Sequence, residues 1–486
     1  MKRILDSVHG YIEVDDAYFS KIIDKPYFQR LRRIEQTSTR SIFPSARHDR
    51  FIHSLGVFHI GRMIKTHFDK VDEYKCWDIT KARREAIFQS YLLACLLHDV
   101  GHAPFSHTFE CYWGRKEDLA ENLIECINKE DFKSDIYKDN NVREPAYHEY
   151  TSAILSSQCY FNSILDLGGD IELVSRMIIG LKYSDQSKQI ENCFISLLHG
   201  DVIDADRLDY ACRDVWASGY CTSTIDLARL ISAIHIKKNS EKQYVVCFNC
   251  NSINEIESVV NIKDFQQKYV LNHHTILYDQ YLLVKAVEYM ALDMVKNEEK
   301  NVDDGTLALN QLCNPLSLCK SISLNKYILQ YPSDGDLIFL MKQNPDNKYF
   351  QEWFGREYSK FPLWKSRDEF YHAFQIQDKT KNLKHPDFKD IVKKNLVENF
   401  DIPENDIWIL EATYKPRVLL NELNILVRDE IVKYVDLYIA NNNSNQMSGS
   451  FYYVYLPKLV IENLEIKKIK DGILSSLKPV IENLYK

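Results

Sequence analysis

The chain has 486 residues, of which 45% are apolar and 27% are charged, and its formal net charge is −8. This composition is typical of a globular protein with one large domain or two to three smaller ones, and the acidic balance excludes a sequence-independent nucleic-acid binder. The first residues are charged where a signal peptide needs an apolar core, and no apolar run has membrane-spanning length, so we expect a soluble cytoplasmic protein without a membrane partner.

The twelve cysteines fit buried thiols in a reducing compartment better than a disulfide framework. Cys247 and Cys250 lack a second pair at zinc-ribbon spacing. We therefore interpret them as part of a buried strand rather than as a metal or redox site.

Residues 1 to about 110 are predicted to form helical segments separated by short turns. From Phe51 to Phe68, apolar residues recur at three- and four-residue steps, which predicts a helix with His53 on its apolar face. The same periodicity predicts a second helix from about Ala82 to Asp99. Residues 114–145 are rich in charge and are predicted to include a surface loop between helices.

A third helix is predicted from about Asp201 to Ala217, with one polar and one apolar side. A strand is predicted at 243–248, followed by further helix to about Lys296. Beyond these, alternating apolar runs predict two strands and a polar stretch predicts a mobile loop between them: strands near 408–410 and 451–456, and the loop at 441–446.

The adjacent residues His98 and Asp99 end the second predicted helix, and so bring an imidazole and a carboxylate to one place. Such a pair arises often by chance, and a lone histidine on an apolar face is usually a core residue. Together with His53 and Asp206, however, the pair completes a mixed nitrogen and oxygen donor set suited to a divalent transition metal. Four such ligands leave coordination positions open for water and a phosphate oxygen, as a catalytic metal requires.

The sequence resembles the HD-domain superfamily, whose signature is a histidine, a His-Asp pair and a distant aspartate. It is more similar still to the deoxynucleoside triphosphate triphosphohydrolases of the SAM-and-HD-domain and bacterial dGTPase type. The likeness covers about residues 4–280, and its motifs occur in the family's order: Asp6-Ser-Val-His9-Gly10, Phe28-Gln-Arg-Leu-Arg32, Arg50-Phe-Ile-His53-Ser-Leu-Gly56-Val57, the His98 segment, His148-Glu149 and Asp204-Ala-Asp206-Arg207-Leu-Asp209-Tyr210-Ala-Cys-Arg213-Asp214.

The resemblance implies a mostly α fold, with an HD-domain helical core at residues 1–300. A smaller mixed α/β C-terminal region at 301–486 would make oligomer or regulatory contacts. The implied reaction converts a deoxynucleoside triphosphate (dNTP) and water to a deoxynucleoside and inorganic triphosphate.

The resemblance also implies roles for individual residues. The metal ligands would be His53, His98, Asp99 and Asp206. The cation would be Fe, Mn, Zn, Ni or Mg, and a second Mg could accompany the triphosphate. The remaining catalytic positions would be His107 as general acid for the departing sugar 5′-oxygen, Glu110 as the carboxylate that orients it, and His102, His148 and Glu149 as groups that contact phosphate or order the water.

Arg50 and Arg207 match triphosphate contacts, because guanidinium pairs with phosphate through two hydrogen bonds. Tyr210 and Asp214 resemble the residues that hold the γ-phosphate and the sugar 3′-hydroxyl. Gln36 matches a glutamine near the base and sugar. A buried carboxylate that accepts from the 3′-hydroxyl would reject substrates without that group.

Several positions depart from the family pattern, and two of them bear on the substrate. Lys263 occupies the place of a phosphate-binding arginine, and Leu271 the place of a tyrosine beside the sugar. Both leave base preference and discrimination against ribonucleotides open.

Asp24, Gln29 and Arg32 match positions that hold an activating guanine nucleotide at a subunit interface in regulated relatives. This implies a nucleotide activator and assembly into a homo-oligomer, a dimer or a tetramer. The alternative is an amphipathic helix with ordinary surface polar residues.

Two other functions stay open at this point. One is an HD phosphodiesterase acting on a cyclic nucleotide, an oligonucleotide signal or a nucleic-acid end. The other is a nucleotide-binding sensor with a structural metal site. A role in starving invading phage of dNTPs follows from family analogy alone.

Overall fold

The computed structural model describes residues 1–112, 114–138, 144–220, 225–296, 316, 322–324, 327–374, 387–414, 417–437, 449–458 and 465–484. Across these residues, no helix is both long enough and apolar enough to cross a membrane.

The described chain forms many helices and a few small sheets, which confirms the mostly α prediction. The helices are α1 (Asp16–Tyr18), α2 (Pro26–Gln29), α3 (Arg50–Val71), α4 (Lys81–Leu97), α5 (Lys116–Ile127), α6 (Glu130–Lys138), α7 (Tyr147–Cys159), α8 (Phe161–Asp166), α9 (Ile171–Ile179), α10 (Gln189–Leu198), α11 (Ala205–Ser218), α12 (Leu227–Ser232), α13 (Ile253–Phe265), α14 (His274–Lys296), α15 (Asp334–Lys342), α16 (Lys348–Gly355), α17 (Arg367–Ala373), α18 (Phe388–Phe400), α19 (Tyr434–Leu437) and α20 (Ile466–Leu484).

The strands form four sheets, with the orders β1-β2, β10-β9-β4-β3, β5-β6 and β7-β11-β8. Their bounds are β1 (Lys2–Asp6), β2 (Gly10–Val14), β3 (Ile234–Lys238), β4 (Tyr244–Asn249), β5 (Ile322–Leu324), β6 (Tyr327–Leu329), β7 (Lys360–Pro362), β8 (Trp408–Tyr414), β9 (Asn424–Val427), β10 (Glu430–Lys433) and β11 (Gly449–Pro457).

The chain divides into two compact units that alternate along the sequence. The first comprises 1–263, 287–344 and 420–437, and the second 264–286, 345–419 and 438–486. Both units draw segments from either side of residue 300, and the predicted functional division there stays a prediction.

The core of the first unit is helical, and its three predicted helices are confirmed. Asp49 caps α3 by accepting from the Ile52 N–H, and Thr80 caps α4 in the same way. The third helix, α11, begins at Ala205, four residues later than predicted, because the Asp204 side chain accepts the Arg207 N–H and closes its first turn. These caps fix where each helix begins and therefore where its polar side chains point.

One sequence expectation is wrong in the first unit. The chain begins with the antiparallel hairpin β1–β2 and not with helix, since Ile12 and Val14 alternate with polar residues and bury one face.

The charge-rich region 114–145 contains α5 and α6, which bury Leu119, Leu123 and Phe132. The loop predicted within this region rests on the stretch 138–142, most of which lies outside the described residues. Most of its charged residues lie on the exposed faces of amphipathic helices, whereas Asp135 is buried and pairs with Arg176 at 2.9 Å.

The second unit packs α18 and α20 with the sheet β7-β11-β8 around an aromatic core that includes Trp364, Phe370 and Tyr455. The predicted strands near 408 and 451 are confirmed as β8 and β11, which pair antiparallel. The predicted loop at 441–446 lies outside the described residues. In the first unit, the predicted strand at 243–248 is β4; it contains the buried Cys247.

Candidate functional site

The four predicted metal ligands come from three helices and meet at one point. His53 lies in the first turn of α3, His98 and Asp99 follow the end of α4, and Asp206 lies in the first turn of α11. Ligand atoms of His53, His98 and Asp99 lie within 4.8 Å of one another. Asp206 Oδ1 is 3.0 Å from His53 Nε2 and 3.6 Å from His98 Nε2. The Asp206 side chain is 37% exposed, whereas the other three are buried, so the group is open to solvent on the Asp206 side.

Both histidines are held from behind. His53 Nδ1 lies 2.7 Å from Asp209 Oδ2, and His98 Nδ1 lies 2.9 Å from the carbonyl oxygen of Cys95. When each Nδ1–H donates to these oxygens, the Nε2 lone pairs face the shared point, which is the tautomer that metal binding needs. Two imidazole nitrogens and two carboxylates with one open side fit a divalent cation.

The electrostatic field at this point favours positive charge. Burial lowers the pKa of His53, but hydrogen bonds to Asp206 and Asp209 outweigh it and raise the pKa to about 10. Burial would raise the pKa of Asp206, yet hydrogen bonds from His53 and His98 hold it well below its usual range. The negative charge of these carboxylates stabilises a protonated, buried imidazole. The same negative charge would stabilise a bound divalent cation.

Asp209 is the central residue of the network behind His53. It is fully buried, lies 2.6 Å from His9 Nε2, and accepts from Arg213 Nε and Nη2 at 2.8 and 2.9 Å. Arg213 Nη1 also donates to Asp6 at 2.8 Å, which ties α11 to the end of β1. A Cβ at Gly56 would lie 1.9 Å from Asp209 Oδ1, so glycine is needed where α3 passes this carboxylate.

Asp209 is not among the predicted site residues. A signal was available, because residues three apart share a helical face and Asp209 follows Asp206 by three.

Arg50 connects Asp99 to the loop that carries His107. Its guanidinium donates to Asp99 Oδ2 at 2.7 Å, to Ser106 Oγ at 3.0 Å and to the Gln36 carbonyl at 3.3 Å. It also lies 3.3 Å from His107 Nε2. Arg50 therefore links Asp99 to the loop that carries His107. Its role as a triphosphate contact stays a prediction.

The predicted catalytic histidines form a second cluster with Glu110. Glu110 Oε1 lies 2.9 Å from His107 Nδ1 and 2.8 Å from His148 Nδ1, and both imidazoles can donate to it. The His102 ring stacks on the His148 ring with centroids 4.2 Å apart, and His102 Nε2 lies 3.1 Å from Asp99 Oδ1. The His107 side chain is 58% exposed, so its Nε2 can meet a bound molecule.

The two imidazoles that share Glu110 differ in proton affinity. Burial would raise the pKa of Glu110, but hydrogen bonds from His107 and His148 hold it well below its usual range. Although the His107 side chain is partly exposed, desolvation by its neighbours, together with the charges of His148 and Arg50, lowers the pKa of His107, whereas for His148 the hydrogen bond to Glu110 outweighs burial and raises the pKa. His148 therefore retains its second proton to higher pH than His107 does.

Two predicted substrate contacts contain buried polar atoms without a hydrogen-bond partner among the described residues: Arg207 Nη1 and Gln36 Oε1. Arg207 Nε lies 3.5 Å from Asp204 Oδ2, so part of its charge is balanced. Buried donors and acceptors left unpaired are costly, so a polar ligand or water that reached these two atoms would be stabilised by them.

The other predicted contacts are distributed differently. Asp214 Oδ1 lies 2.8 Å from His48 Nε2, and Tyr210 is half-buried one turn earlier on α11. Glu149 accepts from the backbone N–H of Ala146 at 2.5 Å, at the start of α7. Lys263 is half-buried in α13.

Among the three predicted activator contacts, Gln29 and Arg32 are joined by a 3.0 Å hydrogen bond. The Arg32 guanidinium lies 3.4 Å from the centroid of the Phe51 ring. Asp24 is exposed, 3.8 Å from Lys2 Nζ.

Residues 50–162 match the HD domain family model. The chain is 30% identical over 310 residues to an uncharacterized protein of Methanocaldococcus jannaschii, covering 63% of this chain and 52% of that protein. It is 29% identical over 305 residues to the deoxynucleoside triphosphate triphosphohydrolase SAMHD1 homolog of Dictyostelium discoideum, covering 60% and 48%. It is 41% identical over 132 residues to deoxynucleoside triphosphate triphosphohydrolase SAMHD1 of Bos taurus, covering 27% and 20%.

A crystal structure of a hypothetical protein from Aquifex aeolicus matches 97% of this chain and 99% of that chain, with a TM-score of 0.60 and 21% identity, which shows the fold. The chain spans about half the length of the first curated relatives it matches. The predicted resemblance is confirmed: residues 50–162 match the HD domain, and the chain is similar to proteins named as deoxynucleoside triphosphate triphosphohydrolases.

Proposed function

We propose that the protein is a metal-dependent HD hydrolase that converts dNTPs to deoxynucleosides and inorganic triphosphate. The observation that carries this proposal is the convergence of His53, His98, Asp99 and Asp206 on one solvent-open point. Kinship with enzymes named as dNTP triphosphohydrolases supports the choice of substrate class.

A divalent cation held by these four side chains would supply Lewis-acid polarisation of the α-phosphate and lower the pKa of water. In the proposed reaction water attacks the α-phosphorus, and the bond to the sugar 5′-oxygen breaks. His107, oriented at Nδ1 by Glu110, donates a proton from Nε2 to that departing oxygen. Arg50 keeps Asp99 ionised and in place, because its guanidinium pairs with that carboxylate.

The far end of the substrate would be held by Arg207. Its buried Nη1 offers a donor that no described residue uses, and a triphosphate oxygen would satisfy it. Gln36 Oε1 offers a matching acceptor for a base or sugar donor. Tyr210, Asp214 and Lys263 are proposed to contact the γ-phosphate, the 3′-hydroxyl and a phosphate oxygen.

The test is product identification. Metal-reconstituted protein is incubated with each dNTP singly and in pairs, and the phosphate product is resolved by ion-exchange chromatography. We expect inorganic triphosphate from the wild-type protein, none from His98→Ala, and wild-type release from His372→Ala, which removes an exposed histidine in the second unit.

The result that overturns the proposal is dNTP binding without triphosphate release in any combination, which would favour a sensor. Cleavage of cyclic nucleotides but not of dNTPs would favour a phosphodiesterase.

We also propose that a nucleotide activator binds near Asp24, Gln29 and Arg32 and drives homo-oligomer assembly, since an effector that binds the oligomer alone shifts the chain toward it. Size-exclusion chromatography with and without each nucleoside triphosphate tests this, and an unchanged elution volume in every case contradicts it.

Depletion of dNTPs during phage infection is the proposed biological role. Equal phage replication in cells carrying wild-type protein or His98→Ala would contradict it.

A further inference from the structure

The loop that carries His107 has an unfavourable backbone conformation. Phe105 and Ser106 are consecutive non-glycine residues with φ of 57° and 55°, in the left-handed region. Side chains disfavour this region, so two such residues in a row persist only where the surrounding structure enforces them. The group that holds this turn therefore also determines where His107 lies.

That group comes from a distant part of the chain. Asp334, in the first turn of α15, is 6% exposed, and its Oδ1 accepts the Phe105 N–H at 2.6 Å. Its Oδ2 accepts the Glu35 N–H at 2.9 Å. One carboxylate thus fixes two backbone segments that are far apart in sequence.

Both segments lead directly to the candidate site. The Ser106 hydroxyl donates to the Glu35 carbonyl and accepts from Arg50 Nε. Arg50 in turn contacts Asp99 and His107. Displacement of the turn would therefore move the guanidinium and the imidazole together.

We propose that Asp334 is a positioning residue that holds the Phe105–Ser106 turn, and through it His107 and Arg50, in the geometry needed for proton transfer. This inference rests on the proposed function insofar as His107 is the proton donor. Asp334 belongs to the same compact unit as the HD helices although it lies 229 residues from Phe105.

The same turn of α15 offers a matched control. The carboxylate of Asp336 also accepts two hydrogen bonds, but both come from Ser333, from its N–H and its hydroxyl, each at 2.8 Å. Asp336→Asn removes a helix-capping carboxylate without touching the turn. Asp334→Asn keeps the shape of the side chain but replaces one acceptor with a donor, so one of the two backbone N–H groups loses its partner.

The experiment combines hydrogen exchange with kinetics. Exchange is followed in peptides covering 102–110 and 33–38, and kcat, KM and bound metal are measured for wild type, Asp334→Asn, Asp334→Ala and Asp336→Asn. We expect exchange in one or both peptides to rise by about tenfold in the Asp334 variants, as loss of one hydrogen bond implies. We also expect kcat to fall by about tenfold or more, with KM and metal content within a factor of three.

Asp336→Asn should lower thermal stability but leave exchange of 102–110 and kcat unchanged. Burial raises the pKa of Asp334 to about 6, so removal of its charge should leave the variant folded at neutral pH.

Unchanged exchange in both Asp334 variants, or faster exchange with unchanged kcat, overturns the proposal. If wild-type protein releases no triphosphate, the proposed function fails, and the exchange measurement still decides whether Asp334 holds the turn.

Discussion

The rear of the candidate metal centre and its substrate side are built differently. Behind His53, the polar atoms of Asp209 and Arg213 are paired with one another and with the end of β1. On the substrate side, Arg207 Nη1 and Gln36 Oε1 are buried but have no hydrogen-bond partner in the described part of the chain. The first region is complete within the protein, and the second leaves hydrogen-bonding capacity for a ligand.

The two sides therefore differ in how their buried polar groups affect the free energy of folding and of ligand binding. A saturated network orients the proposed metal ligands before any substrate arrives. Unpaired buried groups cost stability in the free protein, and a polar ligand recovers that cost on binding. Substitutions on the two sides should therefore change different observables: metal affinity at the rear, and KM on the substrate side.

The largest effect is expected from Asp206→Asn, which removes a charged ligand from the open side of the centre. Metal affinity and triphosphate release should fall by more than the roughly 10–100-fold that loss of an outer partner costs. The Asp206 side chain is 37% exposed, so the free energy of unfolding should change little in the variant. Metal content by elemental analysis, together with product release, checks this. Wild-type metal content in the variant would contradict it.

Asp209→Asn tests the rear network. Metal affinity, measured by chelator competition, should fall roughly 10–100-fold because His53 loses its carboxylate partner. The unfolding free energy should fall by roughly 3–5 kcal/mol, since Arg213 keeps a buried charge with one partner fewer. Gly56→Ala, which forces a Cβ toward the same carboxylate, should weaken metal binding in the same direction. Wild-type metal affinity in both variants would contradict the view that Asp209 orients His53 for metal binding.

Much of this arrangement could be predicted from sequence, and some of it could not. The four proposed metal ligands follow from motifs whose order predicts the helices that carry them, and the cap at Asp204 explains the one shifted helix start. The pairing of Asp334 with Phe105 carries no local signal, because 229 residues separate them and a carboxylate in a helix's first turn is ordinarily a cap. Likewise, charge density alone does not give the bounds of α5 and α6 within 114–145.

The buried carboxyl group of Asp334 predicts that the stability of the protein depends on pH. Burial raises its pKa to about 6, although the Glu35 and Phe105 amides and the nearby Arg40 and Arg30 act to lower it. Because the native pKa exceeds the unfolded value, its stabilising contribution is full below about pH 4 and is lost as the pH rises through 6.

The unfolding free energy of wild type minus that of Asp334→Asn should therefore fall by roughly 2 kcal/mol between pH 4 and pH 7. Denaturant titrations at each pH measure this difference. A difference that grows with pH would contradict the assignment.

Arg207→Ala should have a smaller effect, confined to the substrate side. Loss of a charged hydrogen bond to phosphate costs roughly 1.5–3 kcal/mol, so KM should rise about 10–100-fold while metal affinity stays at the wild-type value. Steady-state kinetics and chelator competition measure the two quantities. An unchanged KM would remove Arg207 from the proposed triphosphate site.

The most direct test of the central claim is anomalous diffraction from crystals grown with Mn²⁺. We predict one anomalous peak within coordination distance, roughly 2.0–2.3 Å, of His53 Nε2, His98 Nε2 and carboxylate oxygens of Asp99 and Asp206. A cation bound elsewhere, or one that Asp206 does not contact, would contradict it.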